Sequence, residues 1–258
     1  MKIDHRSSNL LRYLVVDNYL SEEDFSVVVS ENERLHGSAS NNVFSELSQG
    51  KTTVRSLDNS SILISPKIVL DSLTSDKVKD LIKEFLGFEA NIYSLLDFPD
   101  RGGHSFFHRM LPGSFLGLHV DRSYLPGTSM VKVANALLYT SPSWNESYGG
   151  NLYFRQGLSG RDKAYVKCMP NRLVLLFHTS KTFHGVSQLG AAAPIRYSAY
   201  MDFYVDADVL RSSGQLEQFW LHETVYLPEF RHILGFLRGF GYTFQLIKYL
   251  RRKKFIYS

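Results

Sequence analysis

The sequence predicts an α+β chain: a jelly roll of two facing sheets, buttressed by N-terminal helices and followed by a basic C-terminal helical extension. Three observations predict it. From Ala90 to Val205, short runs rich in β-branched and aromatic residues alternate with Gly and Pro breaks, about eight strands in all. Before them, apolar residues recur at helical spacing, and after residue 228 cationic and apolar residues interleave. The expected organisation is one domain over residues 1–210, with its β core at about 90–205, and the extension at 211–258.

In chain order, residues 11–20 (LRYLVVDNYL) read as a strand. Ser21 then offers a hydroxyl cap, and Glu22, Glu23 and Asp24 place acids where they complement a helix dipole, so a helix is expected to about Leu35. Residues 37–61 are rich in Ser, Asn and Gly and read as a loop over the site. Pro66 to Phe88 carries the stripe Val78, Leu81, Ile82, Phe85 and Leu86 behind a Ser75-Asp76 cap, a supporting helix. The expected strands are 92–97, 104–111, 115–120, 131–141, 151–156, 164–169, 172–178 and 195–205.

With 258 residues, 44% hydrophobic, 18 Phe and 15 Tyr, the chain can bury a sizeable core. Its single cysteine, Cys168, excludes an internal disulfide and fits a reducing compartment; with no secretory signal legible at the N-terminus, a cytoplasmic location is expected. No run of 18 apolar residues is present. Residues 229–258 hold seven Lys/Arg against one Glu, so the segment carries the basic balance of a chain whose net charge is +4. Phe230, Ile233, Leu234 and Leu237 form a helical stripe beside Arg231 and Arg238. A contact with an anionic membrane surface, packing on its own domain and a homodimer contact all fit it. No motif supports nucleic-acid binding.

The chemistry concentrates between Gly113 and Tyr204. His119 and Asp121 stand at i and i+2, a spacing that points both side chains to one side of a strand. Two histidines and a carboxylate make the facial set that holds non-haem Fe(II) with open positions, and His184 in KTFHGVSQ supplies the third. With nine His and 14 Asp, about 0.5 His-x-Asp triplets arise by chance, so the pair alone decides nothing. An ordered set around it does: Gly149-Gly150-Asn151-Leu152-Tyr153-Phe154, Asn171-Arg172-Leu173-Val174-Leu175-Leu176-Phe177, His184-Gly185-Val186, and Arg196-Tyr197-Ser198.

Over about 100 residues this order resembles the 2-oxoglutarate- and Fe(II)-dependent dioxygenases, in their prolyl 4-hydroxylase-like branch. The resemblance implies a double-stranded β-helix, with iron held by His119, Asp121 and His184 at its mouth. Fe(II), 2-oxoglutarate as co-substrate and ascorbate are the implied cofactors, and O₂ is the implied oxidant. Strand alternation groups Arg196, Ser198, Tyr200 and Asp202 on one face, and a guanidinium beside a hydroxyl suits a carboxylate. The resemblance makes that carboxylate the distal one of 2-oxoglutarate, with Tyr139 also on it, in a stretch ending at Trp144. The same alternation groups Val133, Asn135, Leu137 and Tyr139; Asn135 either faces a ligand or is a satisfied buried amide.

The chain departs from the family where relatives place a tyrosine about ten residues before His-x-Asp; it has His108-Arg109 there. His104 and His178 lack ligand spacing and read as structural. Arg122, Arg155, Arg161 and Lys163 are either contacts for an anionic substrate or solvated surface charge. The implied activity is hydroxylation of an unactivated C–H with 2-oxoglutarate decarboxylated to succinate; Asp121 favours this over halogenation. Substrate classes rank as amino-acid or peptidyl residues and small metabolites first. A glycan or lipid-linked substrate at a membrane surface is the alternative, and an idle binding module the other class.

Overall fold

Alternating side chains along the core strands require two different apolar environments, and the computed structural model supplies them. It describes residues 3–8, 11–37, 51–54, 63–101, 106–156, 163–179, 182–219 and 222–226. The core strands are β5 (Phe107–Met110), β6 (Leu116–Val120), β7 (Met130–Tyr139), β8 (Leu152–Gln156), β9 (Lys163–Val166), β10 (Leu173–Phe177), β11 (Thr182–Val186) and β12 (Arg196–Asp206). N-terminal to them lie β1 (Ile3–Ser8), β2 (Leu11–Val16), α1 (Glu22–Gly37), β3 (Lys51–Val54), α2 (Ser65–Leu73), α3 (Asp76–Leu86) and the two-residue β4 (Tyr93–Ser94). α4 (Ala207–Ser212) and β13 (Val225–Tyr226) follow.

The larger sheet runs β1-β2-β10-β7-β12-β5-β3, with β4 on β12; the smaller runs β13-β6-β11-β8-β9. Every pairing is antiparallel. One face of the larger sheet meets the helices: Leu14, Val16, Ala136, Leu138, Leu175, Ala199 and Met201 pack with Val28, Val69, Val78, Ile82 and Leu86. Its other face closes on the smaller sheet, where Tyr13, Val15, Tyr139, Phe154, Val174, Leu176 and Leu189 pack. This is the jelly roll expected from the strand count, and its α+β character comes from helices covering one outer face.

Several expectations need correction. β3 lies inside the stretch read as loop and pairs with β5; residues 38–50 and 55–62 fall outside the described ones. The single helix expected at 66–88 is two, α2 and α3, broken at Thr74-Ser75. Ser75 sits at the N-cap in extended backbone, yet its hydroxyl donates to the Ser72 carbonyl (2.7 Å) instead of capping. Residues 92–97 hold only β4 before a tight turn at 95–97, because Asp97 reaches back to the Ser94 N–H (2.6 Å) and curls the chain. Beyond residue 210 the chain returns to the smaller sheet, where β13 pairs with β6; residues 229–258 lie outside the described ones. Among the described residues no helix is long and apolar enough to cross a membrane.

The N-terminus is tied down by Asn171, a non-glycine residue in left-handed backbone (φ 54°). Its amide accepts from the Leu20 N–H (2.8 Å) and donates to the Leu20 carbonyl (2.9 Å), a two-way clasp that an asparagine tolerates at positive φ. The neighbouring Arg172 grips Asp17 with two nitrogens (2.5 and 2.9 Å).

Candidate metal centre and carboxylate pocket

β6 and β11 are paired so that His119 and His184 stand directly opposite each other, their rings 4.3 Å apart between centroids. Asp121 follows two residues beyond His119. One ligand atom from each of His119, Asp121 and His184 lies within 4.8 Å of the others, the spacing of a set that can hold one ion. His119 Nδ1 meets the Gly117 carbonyl at 2.8 Å, so that nitrogen carries the hydrogen and Nε2 keeps its lone pair for a metal. Burial, helped by the nearby His119, pushes His184 down to about 3, so its imidazole is neutral and ready to ligate. Burial alone would raise the Asp121 carboxyl; Lys132, His119 and His184 overcome it and hold it well below the usual carboxylate range. An N, N, O set with an anionic oxygen and small spacing fits Fe(II).

The approach of β11 to β6 depends on Gly185. A Cβ there would stand 2.6 Å from the Leu116 carbonyl oxygen and 2.9 Å from the Tyr153 ring. The pairing also slips by one residue between His184 and Val186. The H-G-V spacing in the sequence therefore reports a close backbone contact beside a ligand.

Further along β12, Arg196 is 2% exposed and has no ion-pair partner among the described residues. Its Nε and Nη2 find no acceptor, and the hydroxyl of the fully buried Tyr139 has none either. Among the described residues Nη1 reaches Ser198 Oγ and Met110 Sδ, each at 3.5 Å, the Cys168 thiol lies beside the guanidinium, and the group stacks 4.8 Å over the Tyr139 ring. A buried cation costs several kcal/mol unless an anion meets it. An unsatisfied guanidinium grouped with a serine and a tyrosine fits a carboxylate, as 2-oxoglutarate would provide. The Gly-Gly pair makes room for it. Gly150 has φ +68°, and a Cβ would lie 3.1 Å from Arg196 Cδ and 3.1 Å from Trp144. The Trp144 indole N–H donates to the Gly149 carbonyl (3.0 Å) and closes that wall.

On the other side of the metal ligands lies a polar wall that the sequence conceals. β7 carries one extra residue where it faces Phe203 and Tyr204: Ala134 opposes Phe203, but Lys132 opposes Tyr204. This bulge sends both Val133 and Ala134 into the helix-side core and returns Lys132 to the face of Asn135. Val133, grouped with Tyr139 by simple alternation, is therefore not at the site. Lys132 Nζ sits 2.7 Å from Asp202 Oδ2 and 3.5 Å from Asp121 Oδ2. Those two carboxylates outweigh its burial and raise its pKa. Tyr200 OH bonds Asp202, lies 3.2 Å from Asp121 Oδ2, and accepts from Asn135 Nδ2 (3.2 Å) and Lys132 (3.4 Å).

The remaining sequence candidates divide. Asn135 is a satisfied amide, bonded to Tyr200. Of His108 and Arg109, alternation puts His108 on the site side, its ring 5.6 Å from that of Tyr200. His178, read as structural, is buried with Nε2 lacking a hydrogen bond, 3.9 Å from Asp121 Oδ2. Arg122 is held by Glu223 (2.9 Å), so it is not a waiting anion contact. Arg155 lies opposite Phe183, on the face of β8 away from His184. Arg161 and the Lys163 side chain fall outside the described residues, as does His104.

Residues 105–204 match the family model described as the 2OG-Fe(II) oxygenase superfamily. A sequence comparison with curated proteins found no significant match. Among solved structures, the chain is similar to a Trichoplax adhaerens prolyl hydroxylase in complex with a hypoxia-inducible-factor peptide fragment, at TM-score 0.56 and 17% identity over 78% of this chain and 86% of that one. It is similar also to a Pseudomonas putida prolyl-4-hydroxylase, at TM-score 0.53 and 19% identity over 75% and 91%. A third is HygX from Streptomyces hygroscopicus with nickel and 2-oxoglutarate, at TM-score 0.53 and 14% identity over 77% and 84%. Over residues 105–204, its β core, the chain is therefore similar to the 2OG-Fe(II) oxygenase superfamily, and its fold is that of the solved structures.

Proposed function

We propose that the chain is a 2-oxoglutarate- and Fe(II)-dependent oxygenase that hydroxylates an unactivated C–H of an amino-acid, peptidyl or small-metabolite substrate. One observation carries this reading: beside the His119, Asp121 and His184 cluster, the fold buries an Arg196 guanidinium that finds no anion among the described residues. An idle binding module has no use for an uncompensated buried cation beside a complete ligand set.

Iron and 2-oxoglutarate, when bound, supply oxygen activation coupled to decarboxylation of the co-substrate to succinate. The chain's own residues do the rest. Gly117 fixes the His119 tautomer, burial keeps His184 neutral, and Lys132 keeps Asp121 ionised, so neither His184 nor Asp121 must lose a proton on metal entry. Arg196, Ser198 and Tyr139 grip and orient the distal carboxylate in a dry pocket, where charge-assisted bonds are strong. Tyr13, Phe154 and Leu189 belong to the same apolar layer as Tyr139, which keeps that side of the sandwich dry.

Substrate choice rests on the relatives. One similar structure holds a peptide fragment and another, HygX, holds hygromycin B, so the fold admits peptidyl and small-molecule substrates. Anaerobic loading with Fe(II) and 2-oxoglutarate, then O₂, tests the class. Succinate forms even without substrate in the wild type and is lost in His119→Ala and Arg196→Met. Succinate release that does not require Fe(II), or survives both substitutions, refutes the reading. A panel of peptides, free amino acids and glycans then ranks substrates by the stimulation each gives.

A further inference from the structure

We infer that His178 is a further binding residue of the site: its Nε2–H is aimed at a small non-protein ligand, water or a diatomic, seated beside Asp121 and His184. The inference rests on the metal site proposed above and adds a residue that the ligand set does not use. Along β10 the side chains alternate. Leu173, Leu175 and Phe177 pack with the helices, Val174 and Leu176 pack between the sheets, and His178 follows on that inner side. There its ring stands 5.6 Å from that of His184, edge to face, and Nε2 lies 3.9 Å from Asp121 Oδ2. The residue is 3% exposed, and its backbone N–H donates to the Val133 carbonyl (2.9 Å), which fixes where the ring starts.

Hydrogen-bond accounting singles out this ring. Beside the ligands the larger sheet presents Lys132, Asn135, Tyr200 and Asp202, and these bond one another. His178 Nε2 finds no partner among the described residues. A polar atom buried without a partner is costly, and native structures supply one. Asp121 Oδ2 does not supply it: 3.9 Å is beyond a hydrogen bond, and that oxygen already meets Tyr200 OH at 3.2 Å and Lys132 at 3.5 Å. Nor does His178 join the ligand atoms that lie within 4.8 Å of one another. Two polar atoms at such a separation suit one small molecule bonded to both. The gap adjoins the ligand cluster, since His184 Nε2 stands 3.8 Å from the same Asp121 oxygen.

The test uses nitric oxide on the full-length chain loaded anaerobically with Fe(II) and 2-oxoglutarate. NO is a diatomic whose complex with Fe(II) gives a paramagnetic resonance signal, so affinity and signal shape are read together. His178→Phe keeps a ring and removes both nitrogens; His178→Leu repeats the measurement with another apolar side chain. Both are expected to bind NO roughly threefold to tenfold more weakly, with a changed signal. Their affinities for Mn(II) and 2-oxoglutarate, read by calorimetry, stay as in the wild type. The wild-type complex is expected to show a solvent-exchangeable hydrogen coupled to the bound NO, a reading that needs no variant to fold.

Unchanged NO affinity and signal in the variants overturns the inference, as does the absence of that exchangeable hydrogen in the wild type. An equal fall in Mn(II) affinity also overturns it, because His178 is then a support for Asp121. A wild type that gives no NO signal, or a signal that survives His119→Ala, overturns the metal site itself. A signal lost in His119→Ala but indifferent to His178 overturns only the role given to His178.

Discussion

Arg196 sets function against stability, and Arg196→Met measures both. The side chain is 2% exposed, its Nε and Nη2 are unbonded among the described residues, and around it lie two contacts at 3.5 Å, a ring at 4.8 Å and the Cys168 thiol. Desolvating a guanidinium costs several kcal/mol, and stacking on a ring returns about 0.5–2 kcal/mol. Methionine keeps the apolar stem against Met110, Trp144 and Leu189 and removes the charge. The ligand-free variant is therefore expected to be more stable than wild type by about 2 kcal/mol, a Tm rise of roughly 4–8 °C for a chain of this size. Losing a buried, charge-assisted contact costs about 2–5 kcal/mol of binding. The 2-oxoglutarate Kd should therefore weaken at least 30-fold, by about 1.4 kcal/mol per factor of ten. Calorimetric titration of the Mn(II)-loaded chain and thermal melts of the ligand-free chain read the two quantities. A variant that melts below wild type refutes the unpaired-cation argument, and one that binds 2-oxoglutarate normally refutes the anchoring role.

Three further outcomes follow from the same geometry. Gly185→Ala drives a methyl into the Leu116 carbonyl at 2.6 Å, so β11 must shift; stability falls by about 1–3 kcal/mol in urea melts and metal affinity falls with it, because His184 moves. Asn171→Ala loses both bonds to Leu20 at a backbone φ of 54° and costs about 3 kcal/mol, of which Asn171→Gly restores the conformational part. Burial, reinforced by Arg109, lowers His36 from 6.5 to about 4. Between those values the unfolded chain takes a proton that the native chain refuses, so stability drops as pH falls through that window, by about 2 kcal/mol at pH 5 from this residue. A His36→Phe variant with an equally acid-sensitive urea midpoint between pH 7 and 5 would disprove that assignment.

How far these features were legible depended on how local each one is. The His119-x-Asp121 pair and the Arg196, Ser198, Tyr200, Asp202 face follow from the two-residue period of a strand, and both faces are realised. The Gly-Gly, Asn-Arg and His-Gly-Val signatures turned out to mark close approaches and a positive φ, each with a steric cause. Lys132 was hidden because one inserted residue at Val133 reverses the parity of β7, and no local pattern announces a bulge. β3 was missed since Lys51-Thr52-Thr53-Val54 has too little apolar character and gains its order from β5. His178 lies outside any ligand spacing and reaches Asp121 only through the closure of one sheet over the other.

The parity change at Val133 has a consequence for how such a barrel could be altered. Upstream of it, even-numbered positions of β7 look into the cavity; downstream, odd-numbered ones do. Removing that residue would restore plain alternation with Lys132 still opposite Tyr204, leaving Tyr139 and Arg196 where they are. A lone codon deletion there would thus flatten a kink and keep the lining, so the strand can lose a residue at that point on an unchanged frame.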